Sequence, residues 1–206
     1  MIKKIAIIGA GGQARETYHV LTKYLFFSNP EYEFVGFFES TSTKDRFLNY
    51  SVKNLTEYDP SYTYHIAIGN GKVRESIVNS LPKSTRWLTI IDPDSIIGQD
   101  VEIGEGSFIP QGTIITENVR IGKQVHLNIG CSISHDVTIG DFFTMAPGSR
   151  IMGGCKVGKL AYMGAQSCIK DKISICEEAT IGMGAMVVKN ITEPGIYIGI
   201  PANKMK

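Results

Sequence analysis

The sequence predicts an α/β N-terminal domain with a small parallel sheet, followed by a parallel β-helix of hexapeptide repeats. Two observations lead to this fold class. In residues 3–81, short apolar segments alternate with glycine turns and helical segments, which is typical of a parallel sheet. From Ile97 to Val187, every sixth residue is aliphatic or Met, and a period of six excludes both a helix and an ordinary strand. Such a period is typical of a parallel β-helix, in which three hexapeptides close one triangular coil.

The N-terminal elements are predicted from apolar runs and the glycines that end them. A first strand starts at Lys3 and leads through a glycine turn into a helix that runs through Tyr18 to Leu25. The later elements are buried strands at 33–38 and 64–69, a helix from about Lys72 to Leu81, and a linker strand at 87–91. We therefore predict three segments: an α/β domain at 1–82, a linker at 83–95 and a β-helix domain at 96–206.

Within the repeat, a second set of inward positions follows four residues after each aliphatic position, and most of its members are small or β-branched. Gly104, Gly122, Gly140 and Gly158 recur every 18 residues, which predicts one corner of the coil that needs a permissive backbone. Because stacked strands lie about 4.8 Å apart, residues 18 positions apart should lie directly above one another. The repeat runs from Ile97 to Val187 without an insertion and corresponds to about five coils.

Composition and charge exclude several classes of protein. The 206 residues include 21 Lys and Arg against 20 Asp and Glu, a net charge of +1, which provides no field for nucleic acid or an anionic membrane. No apolar run is long enough to span a membrane and no signal-peptide cleavage pattern follows the first residues, so we expect a cytoplasmic protein. The cysteines form no C-x-x-C pair, which predicts reduced thiols and no metal site.

A glycine motif follows the first strand. Residues 9–14, Gly-Ala-Gly-Gly-Gln-Ala, match the G-x-G-x-x-A variant of the Rossmann-like fingerprint, in which backbone N–H groups approach a diphosphate at a helix N terminus. Glu39 follows the second strand, where a ribose or base contact is expected. The domain has room for one half of a dinucleotide fold, which favours a mononucleotide-type ligand such as a nucleotide-sugar over NAD. A tight turn without a ligand is the alternative.

A second glycine turn follows the third strand at the same edge of the sheet. Its residues Gly69 and Asn70 could close the other wall of the cleft, because ligands of open α/β sheets bind at the carboxyl ends of the strands. An ordinary strand-to-helix turn is the alternative.

His135 has the most informative surroundings of the histidines. It is the third residue of its hexapeptide, so its side chain points outward, and Asp136 is within reach to orient and polarise the imidazole. Counting 18 residues down gives Glu117, which we expect to place a second carboxylate near His135. Counting 18 residues up gives Gly153, followed by Gly154, so the backbone above His135 is open. We interpret this arrangement as a site where a thioester can lie against main-chain N–H donors. A surface histidine without a role is the alternative.

We expect exposed apolar side chains on the flat faces of the predicted prism, among them Phe108, Phe142, Leu160 and Tyr162. His126 also points outward, and no role follows from its surroundings. Hexapeptide-repeat proteins cover such faces by side-by-side association, so we expect a homotrimer.

Taken together, the motifs resemble one known family. The N-terminal Ile-Ile-Gly-Ala-Gly-Gly-Gln-Ala-Arg-Glu, the segment 133–141, Ala-Pro-Gly at 146–148, Gly153-Gly154 and Gly-Ile-Pro-Ala at 199–202 are similar to the sugar O/N-acyltransferases. This family includes sialic acid O-acetyltransferases and N-acetyltransferases of the bacillosamine-pathway and perosamine types. The resemblance implies a left-handed β-helix assembled as a homotrimer, with acetyl-CoA in clefts between neighbouring prisms.

The resemblance also implies roles by position, with His135 as the catalytic base and Asp136 as the acidic residue that polarises it. Together with the turns described above, it predicts two sets of binding residues. The residues predicted to bind the nucleotide-sugar are Gly11, Gly12, Gln13, Glu39, Ser40, Gly69 and Asn70. The residues predicted to bind acetyl-CoA are Thr144, Gly153, Gly154, Ala165 and Met183. Three positions depart from the family pattern: Thr144 stands where many relatives have a second histidine near the thioester, Glu39 where Asp is usual, and Asp92-Pro93 where His-Pro is usual.

These inferences predict an acetyl-CoA-dependent N-acetyltransferase for surface polysaccharide or glycan synthesis. The acetyl acceptor would be the amino group of a nucleotide-linked sugar. A UDP-4-amino-4,6-dideoxy sugar is the first candidate for this substrate. His135 would take a proton from the attacking amine, and a backbone N–H near Gly153 or Gly154 would meet the oxyanion. Two alternatives stay open: an O-acetyltransferase of sialic acid or a related sugar, and a non-catalytic trimer that binds a nucleotide-sugar.

Overall fold

The computed structural model describes residues 2–23, 31–40 and 45–205, and the chain divides into two compact units, Met1–Ile90 and Ile91–Lys206. The described residues of the N-terminal unit form one sheet, two α-helices and a short 3₁₀ helix at Leu55–Glu57. The elements are, in chain order, β1 (Lys3–Ile8), α1 (Gly12–Leu21), β2 (Tyr32–Glu39), β3 (Arg46–Phe47), β4 (Tyr50–Asn54), β5 (Thr63–Ile66), α2 (Gly71–Ser80) and β6 (Arg86–Trp87).

The N-terminal sheet has the strand order β3-β4-β2-β1-β5-β6, and its neighbouring strands are parallel except for β3 and β4. Strand β1 is central and its residues from Ile5 to Ile8 are buried, which explains their continuous apolar run. Tyr18 of α1 contacts the ring of Phe37, whereas Ile77 of α2 packs against the buried cluster that contains Phe38. Because neighbouring residues of a strand face opposite sides, the two helices cover opposite faces of the sheet.

The strand that starts at Lys3, the strands predicted at 33–38 and 64–69 and the second helix are present, with ends that differ by up to three residues. The single linker strand predicted at 87–91 is not found: Arg86–Trp87 belongs to the N-terminal sheet, and Ile90–Ile91 belongs to the sheet that contains Phe108–Ile109. The first helix begins at Gly12, and Leu25, the last residue predicted for it, lies outside the described residues. The hairpin of β3 and β4 is not predicted from the sequence. It turns at Leu48 and Asn49, which have φ of 48° and 66°, and leucine at such a position gives no recognisable turn signature.

The C-terminal unit is a parallel β-helix with three short strands in each coil. These strands are β7 (Ile90–Ile91), β8 (Ile96–Ile97), β9 (Val101–Ile103), β10 (Phe108–Ile109), β11 (Ile114–Ile115), β12 (Val119–Ile121), β13 (His126–Leu127), β14 (Ser132–Ile133), β15 (Thr138–Ile139), β16 (Thr144–Met145), β17 (Arg150–Ile151), β18 (Lys156–Val157), β19 (Tyr162–Met163), β20 (Cys168–Ile169), β21 (Ser174–Ile175), β22 (Ala179–Ile181), β23 (Met186–Val187), β24 (Gly195–Ile198) and β25 (Asn203–Lys204).

Up to β23, every third strand belongs to the same face of the β-helix, and β24 with the antiparallel β25 extends the first face. The first face runs from β7 through β10 to β24 and β25, the second from β8 through β11 to β23, and the third from β9 through β12 to β21. Ile115 pairs with Ile133, and Ile133 pairs with Ile151. This register confirms that residues 18 positions apart are stacked, and it places the sixfold aliphatic positions in one continuous core.

The corners of the coils do not use glycine as the sequence suggested. A residue with positive φ occupies every sixth position from 100 to 184, and many of these residues have side chains, such as Phe142 and Leu160. The four glycines spaced by 18 are not among them, so their prediction as permissive corners is wrong. A Cβ added to Gly140 would lie 2.6 Å from the backbone nitrogen of Lys159. Glycine is therefore required there by the close approach of stacked backbones.

Several outward side chains of the β-helix are buried. Phe108 is 1% exposed and His126 is fully buried. Phe142 is also buried, Leu160 is partly buried, and Tyr162 is exposed. The prediction of exposure is therefore wrong for Phe108 and Phe142, because the sixfold period gives the direction of a side chain and not what packs against it. Exposed apolar side chains are found on the second face: Ile96, Ile114 and Met186.

No helix in the described part of the chain has the length and hydropathy needed to cross a bilayer. The four cysteines are free thiols. Cys131 lies in the β-helix core, and burial raises the pKa of its thiol. Among the described residues, no group of His, Cys, Asp and Glu side chains is arranged to hold a metal ion.

Gly140→Ala should destabilise the β-helix more than Gly130→Asn. The new Cβ at position 140 meets the Lys159 backbone, whereas Gly130 has a φ of +67° and no atom within 4 Å of an added Cβ. We expect a loss of about 2 kcal/mol or more for Gly140→Ala and of less than about 1 kcal/mol for Gly130→Asn, because Asn tolerates a positive φ. Urea unfolding measures both free energies. A larger loss for Gly130→Asn would contradict the close-stacking explanation.

Candidate active site

The carboxyl edge of the N-terminal sheet brings the two glycine turns together. The Gly9 N–H donates to the Phe38 oxygen at 2.7 Å, which holds the first turn against the end of β2. On the other side, a Cβ added to Gly9 would lie 2.9 Å from the Ala67 oxygen, and Gly9 has a φ of +115°. Both the contact and the conformation require glycine. The turn before α1 and the turn after β5 are therefore neighbours.

Gly11 and Gly12 form an open N terminus of α1. Gly11 is the N-cap residue and provides no side-chain cap, and no atom lies within 4 Å of a Cβ added to either glycine. The Nε2 atom of Gln13 is buried and has no hydrogen-bond partner within the described ranges. An open helix N terminus favours an anion. This geometry suits the predicted diphosphate contact, which stays a prediction.

The carboxylate of Glu39 is directed into the first glycine turn. Its Oε1 accepts a hydrogen bond from the Ala10 N–H at 2.9 Å, and Ser40, the next residue, is exposed. Glu39 therefore stabilises the turn, a role that the sequence does not indicate. Its predicted contact with a ribose or base stays a prediction.

Gly69 and Asn70 form the turn that leads into α2. The Asn70 Oδ1 accepts hydrogen bonds from the backbone N–H groups of Lys72 at 3.0 Å and Val73 at 3.3 Å, so Asn70 caps the helix. Gly69 is exposed, and a Cβ added to it would meet no atom within 4 Å. The turn therefore caps α2, as expected for an ordinary strand-to-helix turn. An added Cβ at Gly69 would still point into open space.

His135 lies at the corner that follows the second face, in contact with Asp136 as predicted. The Nδ1 of His135 is 2.7 Å from the Oδ2 of Asp136, and the imidazole is 68% exposed. The other carboxylate oxygen accepts a hydrogen bond from the Nδ2 of Asn118 at 2.6 Å. The bond with His135, and to a smaller extent that with Asn118, lowers the pKa of the Asp136 carboxyl. An ionised carboxylate accepts the Nδ1–H and leaves the lone pair on Nε2.

Asn118 is not among the residues predicted for the site. The signal was nevertheless available, since Asn118 lies 18 positions before Asp136 and the stacking rule places it one coil below. We expected Glu117 to place a second carboxylate near His135. In the structure Glu117 uses its backbone oxygen, which accepts the Asp136 N–H at 3.1 Å, and Asn118 provides the side chain in contact with the site.

The imidazole of His135 lies against Gly153 of the next coil. A Cβ added to Gly153 would be 2.7 Å from Cε1 and 2.8 Å from Nε2 of His135. The space that we expected to be open above His135 is therefore occupied by its own ring. The Gly154 N–H donates to the His135 oxygen at 2.9 Å as part of the coil stacking. Of the two glycines, Gly153 is thus the candidate oxyanion donor.

Two residues of the predicted acetyl-CoA set, Ala165 and Met183, lie at another corner of the β-helix. Ala165 and Met183 are stacked between the first and second faces, where the Gly184 N–H donates to the Ala165 oxygen at 2.8 Å, and Met183 is 79% exposed. A groove of about 740 Å³ follows this corner past Gly148 and Gln166. Thr144, on the first face, is only 4% exposed. In a single chain Ala165 and Met183 occupy a different corner from His135.

Comparison with known proteins gives a domain family and relatives. Residues 4–81 match the PglD N-terminal domain. The chain is 31% identical over 111 residues to GDP-perosamine N-acetyltransferase of Escherichia coli O157:H7, a match of 53% of this chain and 50% of that protein. The chain spans half or less of the length of three curated relatives that it matches.

Solved structures share the fold along nearly the whole chain. WeeI from Acinetobacter baumannii AYE is 30% identical, with 98% of this chain and 100% of WeeI covered and a TM-score of 0.89. PerB from Caulobacter crescentus, in complex with CoA and GDP-perosamine, is 22% identical, with 100% of this chain and 99% of PerB covered and a TM-score of 0.87. The likeness in fold confirms the predicted left-handed β-helix after an N-terminal parallel sheet. By its PglD-type N-terminal domain and its full-length likeness to WeeI, the chain belongs to the sugar O/N-acyltransferase family of hexapeptide-repeat proteins.

Proposed function

We propose that the protein transfers the acetyl group of acetyl-CoA to the amino group of a nucleotide-linked amino sugar, with His135 as the general base. The observation that carries this proposal is the hydrogen-bonded series of Asn118, Asp136 and the exposed imidazole of His135. A histidine oriented by a carboxylate is well suited to take a proton near neutral pH. The GDP-perosamine N-acetyltransferase relative and the PerB complex with CoA and GDP-perosamine support this type of donor and acceptor.

Each residue of the series has one task in the proposed reaction. Asp136 accepts the Nδ1–H of His135, so Nε2 takes a proton from the sugar amine as its nitrogen attacks the thioester carbon. The Gly153 N–H is the candidate donor to the oxyanion that forms. Collapse of the tetrahedral intermediate forms the amide, breaks the C–S bond and releases the CoA thiolate, which receives the proton from His135. The reaction needs no covalent enzyme intermediate.

In this proposal the N-terminal unit binds the nucleotide part of the acceptor. The open N terminus of α1 at Gly11 and Gly12 faces the diphosphate, and Glu39 with Ser40 is the candidate contact for ribose or base. The buried Nε2 of Gln13 is a donor that a ligand oxygen would satisfy. A UDP-linked 4-amino-4,6-dideoxy sugar is the first candidate acceptor, and a GDP-linked amino sugar is the second because PerB holds GDP-perosamine.

The proposed active form is a homotrimer. The exposed Ile96, Ile114 and Met186 on the second face would be covered by a neighbouring prism. Ala165 and Met183 lie on a different corner from His135, so an acetyl-CoA that contacts all three residues would lie between two chains.

A thiol-release assay with acetyl-CoA tests the reaction class. The acceptors are UDP- and GDP-linked 4-amino and 3-amino sugars and free sialic acid, and mass spectrometry before and after mild base separates amide products from esters. We expect an amide on a nucleotide-linked amino sugar. An ester on sialic acid would replace the proposal with O-acetylation. Absence of thiol release with every acceptor would favour the non-catalytic binding protein.

His135→Ala should lower the turnover number at least about 10²-fold, because the amine then has no positioned base. Binding of acetyl-CoA and the oligomeric mass should stay unchanged. His19→Ala is the matched control, since His19 is an exposed histidine of α1. Near-normal turnover of His135→Ala with the best acceptor would exclude the general-base role.

Gly153→Ala should reduce turnover with little loss of stability. The new Cβ would overlap the His135 ring, and this exposed ring can move away from Asp136 at small cost to the fold. We expect a loss of turnover of roughly tenfold or more and a melting temperature near that of the wild type. In a His135→Ala background the same substitution should have no further effect. An equal loss in both backgrounds would indicate that Gly153 acts independently of His135.

A further inference from the structure

Arg15 places a positive charge near the N-terminal end of α1. It is the fourth residue of this helix, and the first turn contains no acidic residue. The N-terminal end of a helix carries a partial positive charge, so a cation beside it is unfavourable in the free protein. The position of Arg15 therefore needs a reason other than the stability of α1.

The guanidinium of Arg15 lies over an aromatic ring of the hairpin formed by β3 and β4. Its Cζ is 5.1 Å from the centroid of the Phe47 ring, and Phe47 packs edge-on against the buried ring of Phe37 with the centroids 5.0 Å apart. Tyr18, three residues further along α1, contacts the same Phe37 ring. Arg15 therefore lies on the side of α1 that faces the end of β2 and the hairpin.

The donor groups of Arg15 are available to a ligand. The side chain is exposed, and within residues 2–23, 31–40 and 45–205 its guanidinium forms no hydrogen bond or ion pair. A contact with the face of the Phe47 ring uses the charge of the guanidinium and leaves its N–H groups without an acceptor. The carboxylate of Glu39 is directed instead to the Ala10 N–H.

The side chain of Arg15 projects toward the open end of its helix. Because Cα–Cβ bonds tilt toward the helix N terminus, a long side chain on the fourth residue extends over the first turn. No atom lies within 4 Å of a Cβ added to Gly11 or Gly12, and the buried Nε2 of Gln13 has no hydrogen-bond partner in the described part of the chain. An open helix end, a buried amide donor and an exposed guanidinium thus meet at one place, and all three suit an anion.

We propose that Arg15 contacts the diphosphate of the nucleotide-linked acceptor, with Phe47 holding its guanidinium beside the N terminus of α1. This inference rests on the proposed function. The backbone N–H groups of the helix end supply only partial charges, whereas a diphosphate carries more than one full negative charge. A guanidinium supplies a full charge and paired donors that match phosphate oxygens. The charge that opposes the free helix is then stabilised by the ligand.

This contact defines the class of acceptor that the site prefers. UDP- and GDP-linked sugars share the diphosphate, so Arg15 serves both in the same way. A free sugar such as sialic acid has no phosphate for it to bind. Arg15 therefore favours a nucleotide-linked sugar over a free sugar and does not distinguish between the bases.

The test compares Arg15→Met and Arg15→Lys with Arg46→Met as the matched control. Arg46 is exposed and donates to the Asn49 oxygen at 2.7 Å. It precedes Phe47 in β3, and neighbouring residues of a strand face opposite sides, so Arg46→Met removes the same charge from the same hairpin on the side away from Phe47. Calorimetry measures the Kd for UDP and GDP, steady-state kinetics measures kcat and both KM values, and thermal unfolding with and without nucleotide measures stability.

We expect the Kd values for UDP and GDP to rise by the same factor, about tenfold or more, in Arg15→Met and by a smaller factor in Arg15→Lys. The KM for the nucleotide-sugar should rise in parallel, whereas kcat and the KM for acetyl-CoA should change little. The free Arg15→Met protein should melt near the wild-type temperature, because the lost charge opposed the helix end, while the stabilisation by added nucleotide should shrink. A merely structural role would instead lower the melting temperature of the free protein. Arg46→Met should bind nucleotide like the wild type.

A folded Arg15→Met protein with the wild-type nucleotide Kd would overturn the inference and leave the proposed function intact. An equal loss in Arg46→Met would also overturn it, as an unspecific effect of charge, and unequal losses for UDP and GDP would indicate a contact with the base instead. If the wild type binds only one of the two nucleotides, the Kd values of Arg15→Met and Arg46→Met for that nucleotide decide. If Arg15→Met does not fold, the Kd of Arg15→Lys decides. Failure of the wild type to bind either nucleotide would contradict nucleotide binding in the proposed function, and this inference with it.

Discussion

One constraint governs the C-terminal unit: inter-coil hydrogen bonds stack each residue on the residue 18 positions before it. The Arg120 N–H donates to the Val137 oxygen at 2.9 Å, and the Thr138 N–H donates to the Cys155 oxygen at 3.0 Å, one coil later. Because this spacing is fixed near 4.8 Å, a backbone position without room for a Cβ must be glycine. For the same reason, side chains 18 positions apart come into contact where they point outward at one corner.

The period alone predicts most of the β-helix, and its limits have a physical cause. Counting by six identifies the core positions and the outward direction of His135, and counting by 18 gives its contact with Gly153. The burial of Phe108 and His126 could not be predicted, because periodicity does not reveal what packs on a face. The positive φ of Phe142 could not be predicted either, because the closed coil imposes it against the preference of a bulky residue.

In the N-terminal unit, the sequence predicts the turns but not the contacts that hold them. The motif at 9–14 predicts a glycine turn at the end of β1, and the Gly69-Asn70 pair predicts another after β5. The hydrogen bond between Glu39 and the Ala10 N–H depends on two segments far apart in the chain. Arg74 in a helical segment resembles an ordinary solvent-exposed residue, and only the fold reveals that its guanidinium is buried against backbone oxygens.

The stacking constraint also explains why an aspartate holds His135. Asp136 and Asn118 occupy the same corner of successive coils with φ of 61° and 53°, a region that Asp and Asn enter at lower cost than other residues with a side chain. Stacking then places the Asn118 amide beneath the Asp136 carboxylate. The residue types that suit the corner are thus the ones that can keep the carboxylate ionised and aimed at Nδ1. A change at Asp136 alters the turn and the base together, whereas a change at Asn118 releases one carboxylate oxygen and leaves the contact with His135 in place.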